Sequence, residues 1–281
     1  MTLGYYGPRV VVSLAVPTTV LCDLDGVVWL AHQPIEGSPA AIARLRAAGV
    51  RVVFVTNNSG ARIADHEAAL AAIGIPARGH VMTSAMAGAD LVEPGERVLV
   101  AAGPGVTEAL LARGAEPVAN DIEPIGPLDA VMVGFHQDFD YHRLRRATQA
   151  VLAGARLIGT NDDPTYPTPT GPIPGGGALL AAVATAAGVA AIVAGKPHRP
   201  MAATVLARLD HPDPSSLVMV GDRGSTDGRF ARTLGCRYAL VRSGVTAPGA
   251  AADPPPDLDV ADLAAVAAAL LASGDAPGPG R

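Results

Sequence analysis

Val20-Leu21-Cys22-Asp23-Leu24-Asp25-Gly26-Val27-Val28-Trp29 sets two carboxylates at the exit of an apolar run. Thr18 to Cys22 is expected to be a short buried strand, because it is apolar and β-branched and lies between Pro17 and Gly26. Side chains alternate along a strand, so Asp23 and Asp25 are expected on one face, close enough that each opposes the other's ionisation. Something positive should sit beside them. Gly26 lets the chain turn off the sheet and leaves the carboxylates open to a ligand. Taken alone, D-x-D-G is equally the composition of an ordinary turn, so the remaining chain has to decide between the two readings.

Working outward, Ile42, Leu45 and Ala48 have helical spacing over Ser38 to Ala48, and Arg51 to Val55 is a second apolar strand. Strand, helix and strand in this order imply a parallel sheet whose ligands bind at the C-terminal strand ends. The second strand runs into Thr56-Asn57-Asn58-Ser59-Gly60 and a helix from about Arg62 to Ile73. Hydroxyls, amides and free N–H groups at a helix start can hold an anion, though Asn and Ser there also serve as plain caps.

From Thr83 a second α/β unit is expected, with strands at Arg97 to Ala101, Asp129 to Val133 and Arg156 to Gly159, and helices near Gly105 to Arg113 and Tyr141 to Ala153. Its Gly103-Pro104-Gly105 turn lacks the spacing of a dinucleotide fingerprint and reads as scaffold. Gly159 to Leu180 is rich in proline and glycine, a long loop of functional or linker type that ends at an alanine-rich helix. Ile192 to Ala194 is read as a strand that delivers Gly195-Lys196-Pro197-His198. Leu217 to Val220 is another, ending in Gly221-Asp222-Arg223-Gly224-Ser225-Thr226-Asp227. Arg237 to Val241 and Leu258 to Leu271 close the fold, and residues 1–16 read as an extended lead-in.

Composition narrows the function. The chain carries twenty arginines and one lysine, Lys196, so a site that needs a compact point charge rather than a planar fork has one candidate. The net charge of −5, without a basic block, gives nucleic-acid binding no electrostatic support. Cys22 and Cys236 lie far apart in apolar stretches and read as reduced, buried thiols. No apolar run reaches the roughly 20 residues that span a bilayer, and Val10 to Val16 lacks the flanks of a signal peptide. A cytoplasmic protein with no membrane partner is expected.

Four chain segments thus carry D-x-D, Thr-Asn, a solitary Lys and G-D-x-x-x-x-D. Together they resemble the four motifs of the haloacid dehalogenase superfamily, matched by Asp23-Leu24-Asp25-Gly26, Thr56, Lys196, and Asp222 with Asp227. The α/β insertion between the second and third motifs, with D-L-D-G-V, T-N-N-S and the T-N-x-D loop, resembles the NagD-like, p-nitrophenyl phosphatase branch. The resemblance implies a doubly wound, Rossmann-like parallel-sheet core (residues 1–82 plus 185–281) with an inserted smaller α/β cap domain (83–184). It implies an Mg²⁺-dependent phosphatase acting on a small phosphorylated metabolite through a phosphoaspartyl intermediate. Asp23 is then the nucleophile and Asp25 the acid and base. The Asp23 and Asp222 carboxylates and the Asp25 carbonyl bind Mg²⁺, and Asp227 holds the metal's outer shell or orients Lys196. Thr56, Asn57 and Lys196 bind the phosphoryl group. In the cap, Tyr166 faces the leaving group, with Asn58, His136 and Arg143 as further specificity candidates, and two chains pair through it as a homodimer.

The fourth motif departs from the family pattern at Gly228, where an aliphatic residue is usual, and at the small Gly224-Ser225 pair; loosened local geometry is the expectation. A phosphotransferase or phosphomutase would use the same core. A catalytically silent phosphate sensor is the rival from another class, while a dehalogenase would need neither Asp25 nor a metal.

Overall fold

A computed structural model describes residues 16–30, 33–122, 126–166, 168 and 171–272. The expected lead-in at residues 1–16 therefore lies outside the described residues, apart from its last position. In chain order the strands are β1 (Thr19–Cys22), β2 (Trp29–Leu30), β3 (Gln33–Pro34), β4 (Arg51–Thr56), β5 (Val81–Thr83), β6 (Arg97–Ala101), β7 (Glu116–Ala119), β8 (Ala130–Val133), β9 (Arg156–Gly159), β10 (Thr165–Tyr166), β11 (Ile173–Pro174), β12 (Ile192–Val193), β13 (Leu217–Gly221), β14 (Arg237–Val241) and β15 (Leu258–Val260). The helices are α1 (Ser38–Ala47), α2 (Ile63–Ala72), α3 (Ser84–Ala89), α4 (Pro104–Arg113), α5 (Tyr141–Leu152), α6 (Gly176–Ala187), α7 (Arg199–Arg208), α8 (Arg229–Leu234) and α9 (Leu263–Ala272).

Six strands form one parallel sheet in the order β15-β14-β13-β1-β4-β5, with β1 between β13 and β4. Both faces of this sheet are covered. Val20, Cys22, Val52 and Phe54 point into one core with Ile42 and Leu45 of α1 and Val266 and Leu270 of α9. Leu21, Val53, Val55 and Met219 point into the other with Met201 and Val205 of α7 and Phe230 of α8. A strand buried on both faces cannot alternate apolar with polar, which is why β1 and β4 read as continuous apolar runs. Cys22 and Cys236 are buried free thiols in these two cores.

Five more strands form a second parallel sheet, β12-β9-β8-β6-β7, with its own two cores around Val98, Met132 and Ile158 and around Leu99, Val131 and Leu157. The chain stays with this sheet longer than the sequence implied. Helix α6 packs on α5 and β9, and Ile192–Val193 pairs with β9 at the sheet's edge, beyond the expected boundary at residue 184. Ile192 to Ala194 was expected as a strand of the catalytic sheet. Two apolar residues between alanine-rich segments carry no mark of which sheet they join.

The two sheets meet at the loop after β4. The Gly105 N–H donates to Gly60 O at 3.2 Å, and a side chain at Gly105 would place its Cβ 2.1 Å from Ala61 O. The Gly103-Pro104-Gly105 turn is thus scaffold, as expected, and the reason is this close backbone approach. Ser59 Oγ and Thr160 Oγ1 share a 2.8 Å hydrogen bond across the same seam.

Candidate active site

The turn after β1 aims the first two acids. Leu24 O accepts hydrogen bonds from the N–H groups of Val27, Val28 and Trp29, and Gly26 N–H donates to Trp29 O at 2.7 Å. Gly26 sits at φ +82°, where a Cβ would lie 2.3 Å from Asp222 Oδ2, so glycine is required on both counts. The indole N–H of Trp29, a buried residue, donates to Asp25 Oδ1 at 3.1 Å and fixes the orientation of that carboxyl.

The positive group expected beside Asp23 is Lys196. Its ammonium donates to Asp23 Oδ1 at 2.8 Å and to Asp227 Oδ1 at 2.7 Å, and its side chain is only 2 % exposed. Lys196 reaches this position from the second sheet, through Gly195, at the turn into α7. Its own N–H donates to Asn57 Oδ1 at 2.8 Å, while Asn57 Nδ2 donates to Lys196 O at 3.0 Å. Burial disfavours the Lys196 charge, but the attraction of Asp227 and Asp23 outweighs that and raises its pKa. The lysine therefore stays charged. Burial raises the Asp23 pKa well above the usual carboxylate range, against the pull of Lys196 and with the push of Asp227 and Asp222.

Asp222 lies at the end of β13. It accepts from Val245 N–H at 2.7 Å, and burial, then Asp227, push it up to about 6. Asp227 Oδ2 accepts from the Arg223 N–H at 3.2 Å, so of the two roles expected for Asp227 its contacts are those of a group that orients Lys196. The fourth-motif turn, Gly224–Gly228, is a π-helical turn. Gly228 is not a loosened position: a Cβ there would lie 2.9 Å from Tyr238 Cε1 and 3.1 Å from Pro254 Cδ, so the ring and the proline already fill the space.

Asp23, Asp222 and Asp227 each offer an oxygen within 4.8 Å of the others'. Three carboxyl groups within reach of one another are an all-oxygen donor set, which fits a hard divalent cation such as Mg²⁺. Thr56 is buried at the end of β4, where its hydroxyl accepts from Asn58 N–H at 3.0 Å. Asn57 borders the same site, and its side chain is a clasp. Besides the Lys196 peptide it holds Asp163 Oδ2 at 2.8 Å, and the Asn57 main-chain carbonyl accepts from Ser84 Oγ and Asn161 Nδ2, both at 2.8 Å.

A cavity of about 460 Å³ opens above these groups and is bordered by Asp23, Asp25, Thr56, Asn57, Lys196, Asp222 and Asp227. Its far wall comes from the second sheet and the loop after β9. There the Tyr166 ring packs on Phe135 with centroids 4.7 Å apart, and the Tyr166 hydroxyl meets Asn58 Nδ2 at 3.4 Å. Burial, with Asp25 nearby, pushes the Tyr166 phenol up to about 12, so it remains a neutral hydroxyl. His136 and Arg143 are not among the residues that line the cavity. Arg143 bonds Asp138 O and Asp140 at the start of α5, and His136 Nδ1 accepts from Asp138 N–H at 3.1 Å. Both finish the turn before that helix, a use that single residues in a sequence do not reveal. Sequence reasoning passed over Phe135, Asp163 and Arg223, which border the cavity. Asp163 was within reach, as the last residue of the quoted T-N-x-D loop.

Comparison with known proteins agrees with this arrangement. The haloacid dehalogenase-like hydrolase model matches residues 20–116, and a second, HAD-hydrolase-like model matches residues 193–266. The glycerol-3-phosphate phosphatase of Gallus gallus is 36 % identical over 258 residues, covering 83 % of this chain and 82 % of that one. The chain belongs to the haloacid dehalogenase-like hydrolase family. Within that family it is also similar to an acid sugar phosphatase of Staphylococcus saprophyticus, 34 % identical over 230 residues that cover 80 % of this chain and 86 % of the relative. A glycerol phosphate phosphatase of Mycobacterium tuberculosis, solved in complex with magnesium, superposes with a TM-score of 0.80 at 32 % identity, covering 91 % of this chain and 76 % of that one. Among the described residues no helix is long and apolar enough to cross a membrane.

Proposed function

We propose that this protein is a phosphatase of small phosphomonoesters, in the glycerol phosphate and sugar phosphate range, that works through a phosphoaspartyl intermediate on Asp23. The observation that carries the reading is the buried ammonium of Lys196, bonded at once to Asp23 and Asp227 beside Asp222 at the base of the cavity. A cluster of three carboxyl groups, two of them bonded to a lysine, combines the parts that phosphoryl transfer needs: an in-line oxygen nucleophile and a fixed positive charge, with donors for a metal that would add more.

In the first step a carboxylate oxygen of Asp23 attacks phosphorus, and the ester P–O bond breaks. The departing alkoxide takes a proton from the Asp25 carboxyl, which Trp29 holds in place. In the second step the Asp25 carboxylate takes a proton from water as that water attacks the phosphorus, and the Asp23–phosphorus bond breaks to release inorganic phosphate. Thr56 and the Asn57 N–H stand at the end of β4 to receive phosphoryl oxygens, and the Lys196 ammonium opposes the burial that disfavours the Asp23 carboxylate. Mg²⁺, held by Asp23, Asp222 and the Asp25 carbonyl, would supply the remaining positive charge that offsets the phosphoryl oxygens.

The second sheet, from β6 to β12 with α4, α5 and α6, serves as the cap. Phe135 and Tyr166 give the cavity an aromatic wall, against which the leaving group would lie. A homodimer through the cap and a cytoplasmic location belong to the same reading and rest on the resemblance to the NagD-like branch.

Phosphate release from glycerol 3-phosphate, sugar phosphates, pyridoxal phosphate and p-nitrophenyl phosphate, each with Mg²⁺ and with chelator, tests the reading. Metal-dependent release is expected. Transfer of the phosphoryl group to a second metabolite instead of water would favour a phosphotransferase, and no turnover of any ester would favour a sensor.

A further inference from the structure

Beta strand β4 touches two cavities. Thr56, its last residue, borders the one described above, while Arg51 and Val52, its first two, border another of about 360 Å³. A six-residue strand at about 3.3 Å per residue puts these two ends about 16 Å apart, so the second cavity lies at the opposite edge of the six-stranded sheet. Pro76, Arg78 and His80, from the turn that leads into β5, and Arg46, from the last turn of α1, complete its lining.

Three guanidiniums and an imidazole border this one cavity. Arg46 has a partial structural explanation, because a cation suits the C-terminal turn of α1 and its Nη1 donates to Pro76 O at 2.7 Å. That leaves Arg46 Nη2, which is buried without a partner, as is His80 Nδ1. Buried donors without acceptors are rare and costly. Glu67 is the acidic group that acts on His80, and its carboxylate is already engaged, accepting from Gly79 N–H at 2.7 Å. Burial and the field of Arg46 and Arg51 hold the His80 pKa below its usual range, so the ring stands neutral in a positive surround.

We propose that this cavity is a second anion site that takes a phosphate group, with the guanidinium groups of Arg46, Arg51 and Arg78 as its charge and the His80 ring in its wall. Guanidinium forks match the oxygens of a tetrahedral dianion and bind it through charge-assisted hydrogen bonds. Inorganic phosphate and the phosphate of an uncleaved monoester share that chemistry. The site uses none of the groups assigned to the reaction and stands or falls apart from that assignment.

The test follows the His80 ring signals by proton NMR on the full chain in chelator, where no ester is turned over, with His80→Gln supplying the assignment. Inorganic phosphate and glycerol 3-phosphate are titrated separately at constant ionic strength. A saturable His80 shift is expected, weakened about tenfold or more in Arg46→Gln, as loss of a charge-assisted bond requires, and also weakened in Arg78→Gln. Arg78 is exposed and its loss does not disturb packing, so that variant decides the matter should Arg46→Gln fold poorly. Both variants should keep the wild-type kcat/KM for p-nitrophenyl phosphate. Saturation by glycerol 3-phosphate alone assigns the site to a phosphorylated metabolite, and saturation by inorganic phosphate assigns it to the free ion. A shift that chloride reproduces, no saturable shift, or shifts unchanged in Arg78→Gln would overturn the proposal.

Discussion

Replacing Lys196 by Met removes the cation bonded to the half-buried Asp23 and the buried Asp227 while keeping nearly the same volume. The ammonium lies 2.8 Å from Asp23 Oδ1 and 2.7 Å from Asp227 Oδ1, inside a site where Asp222 adds a third carboxylate. Taking one partner out of a buried ion pair leaves uncompensated charge and costs about 3–5 kcal/mol. At about 2–4 °C per kcal/mol for a chain of this size class, the melting temperature should fall by roughly 6–20 °C in chelator. Part of the loss is recovered by protonation of Asp23, so the deficit should shrink as the pH falls. Turnover should drop by about 10²-fold or more, as for the loss of any fixed charge that stabilises a transition state. Lys196→Arg keeps the charge, but a planar fork cannot place one point between two carboxylates; it should recover more stability than activity. Calorimetry and phosphate release on both variants give the answer. A Lys196→Met protein that melts within about 2 °C of wild type and keeps more than about a tenth of its turnover would refute the assignment of Lys196, since neither loss expected from the buried pair and the transition state would then be seen.

Other outcomes follow from the same geometry. Asp222 is pushed up to about 6, mainly by burial and then by Asp227. Between its ordinary value and about 6 the folded chain binds more protons at this group than the unfolded chain, so the chelated protein loses stability as pH rises through that window. Thermal melts at pH values on either side of about 6 should therefore show Mg²⁺ stabilising the protein more at the higher pH, because bound metal screens charges that are protonated at the lower one; equal Mg²⁺ effects at both would contradict this. Gly26→Ala would set a Cβ 2.3 Å from Asp222 Oδ2 in a left-handed backbone position, so the Mg²⁺ concentration for half-maximal activity should rise about tenfold or more, a shift read by metal titration. Asn57→Ala removes the clasp on Asp163 and on the Lys196 peptide and should cost about 2–3 kcal/mol in denaturant titration, with a fall in kcat rather than in KM alone.

The sequence made the catalytic sheet and its four motif residues readable because each is a local signal. A strand buried on both faces is a continuous apolar run, acids and Gly26 stand at or near its ends, and the lysine is marked by being the single one in the chain. Long-range partnership was less visible. Ile192–Val193 has the same short apolar character whichever sheet it joins, and its pairing with β9 depends on residues far back in the chain. The Asn57 side chain could have served phosphate as well as a clasp, and the choice is made by Asp163 and Lys196, residues more than a hundred positions away. His136 and Arg143 were polar residues on the right unit, but the choice between the cavity and the start of α5 is made by Asp138 and Asp140. Gly228 taught the same lesson in reverse. Its missing side chain is compensated by Tyr238 and Pro254, which no local reading could supply.

The central claim is that Asp23 carries the phosphoryl group between two displacements. Acid quench during turnover with substrate in excess, followed by borohydride reduction and peptide mass spectrometry, reads that directly, since an acyl phosphate is reduced to the alcohol. Homoserine at position 23, formed only with substrate and Mg²⁺, is the expected result. Steady turnover with Asp23 unmodified, or turnover that survives Asp23→Asn, would contradict it.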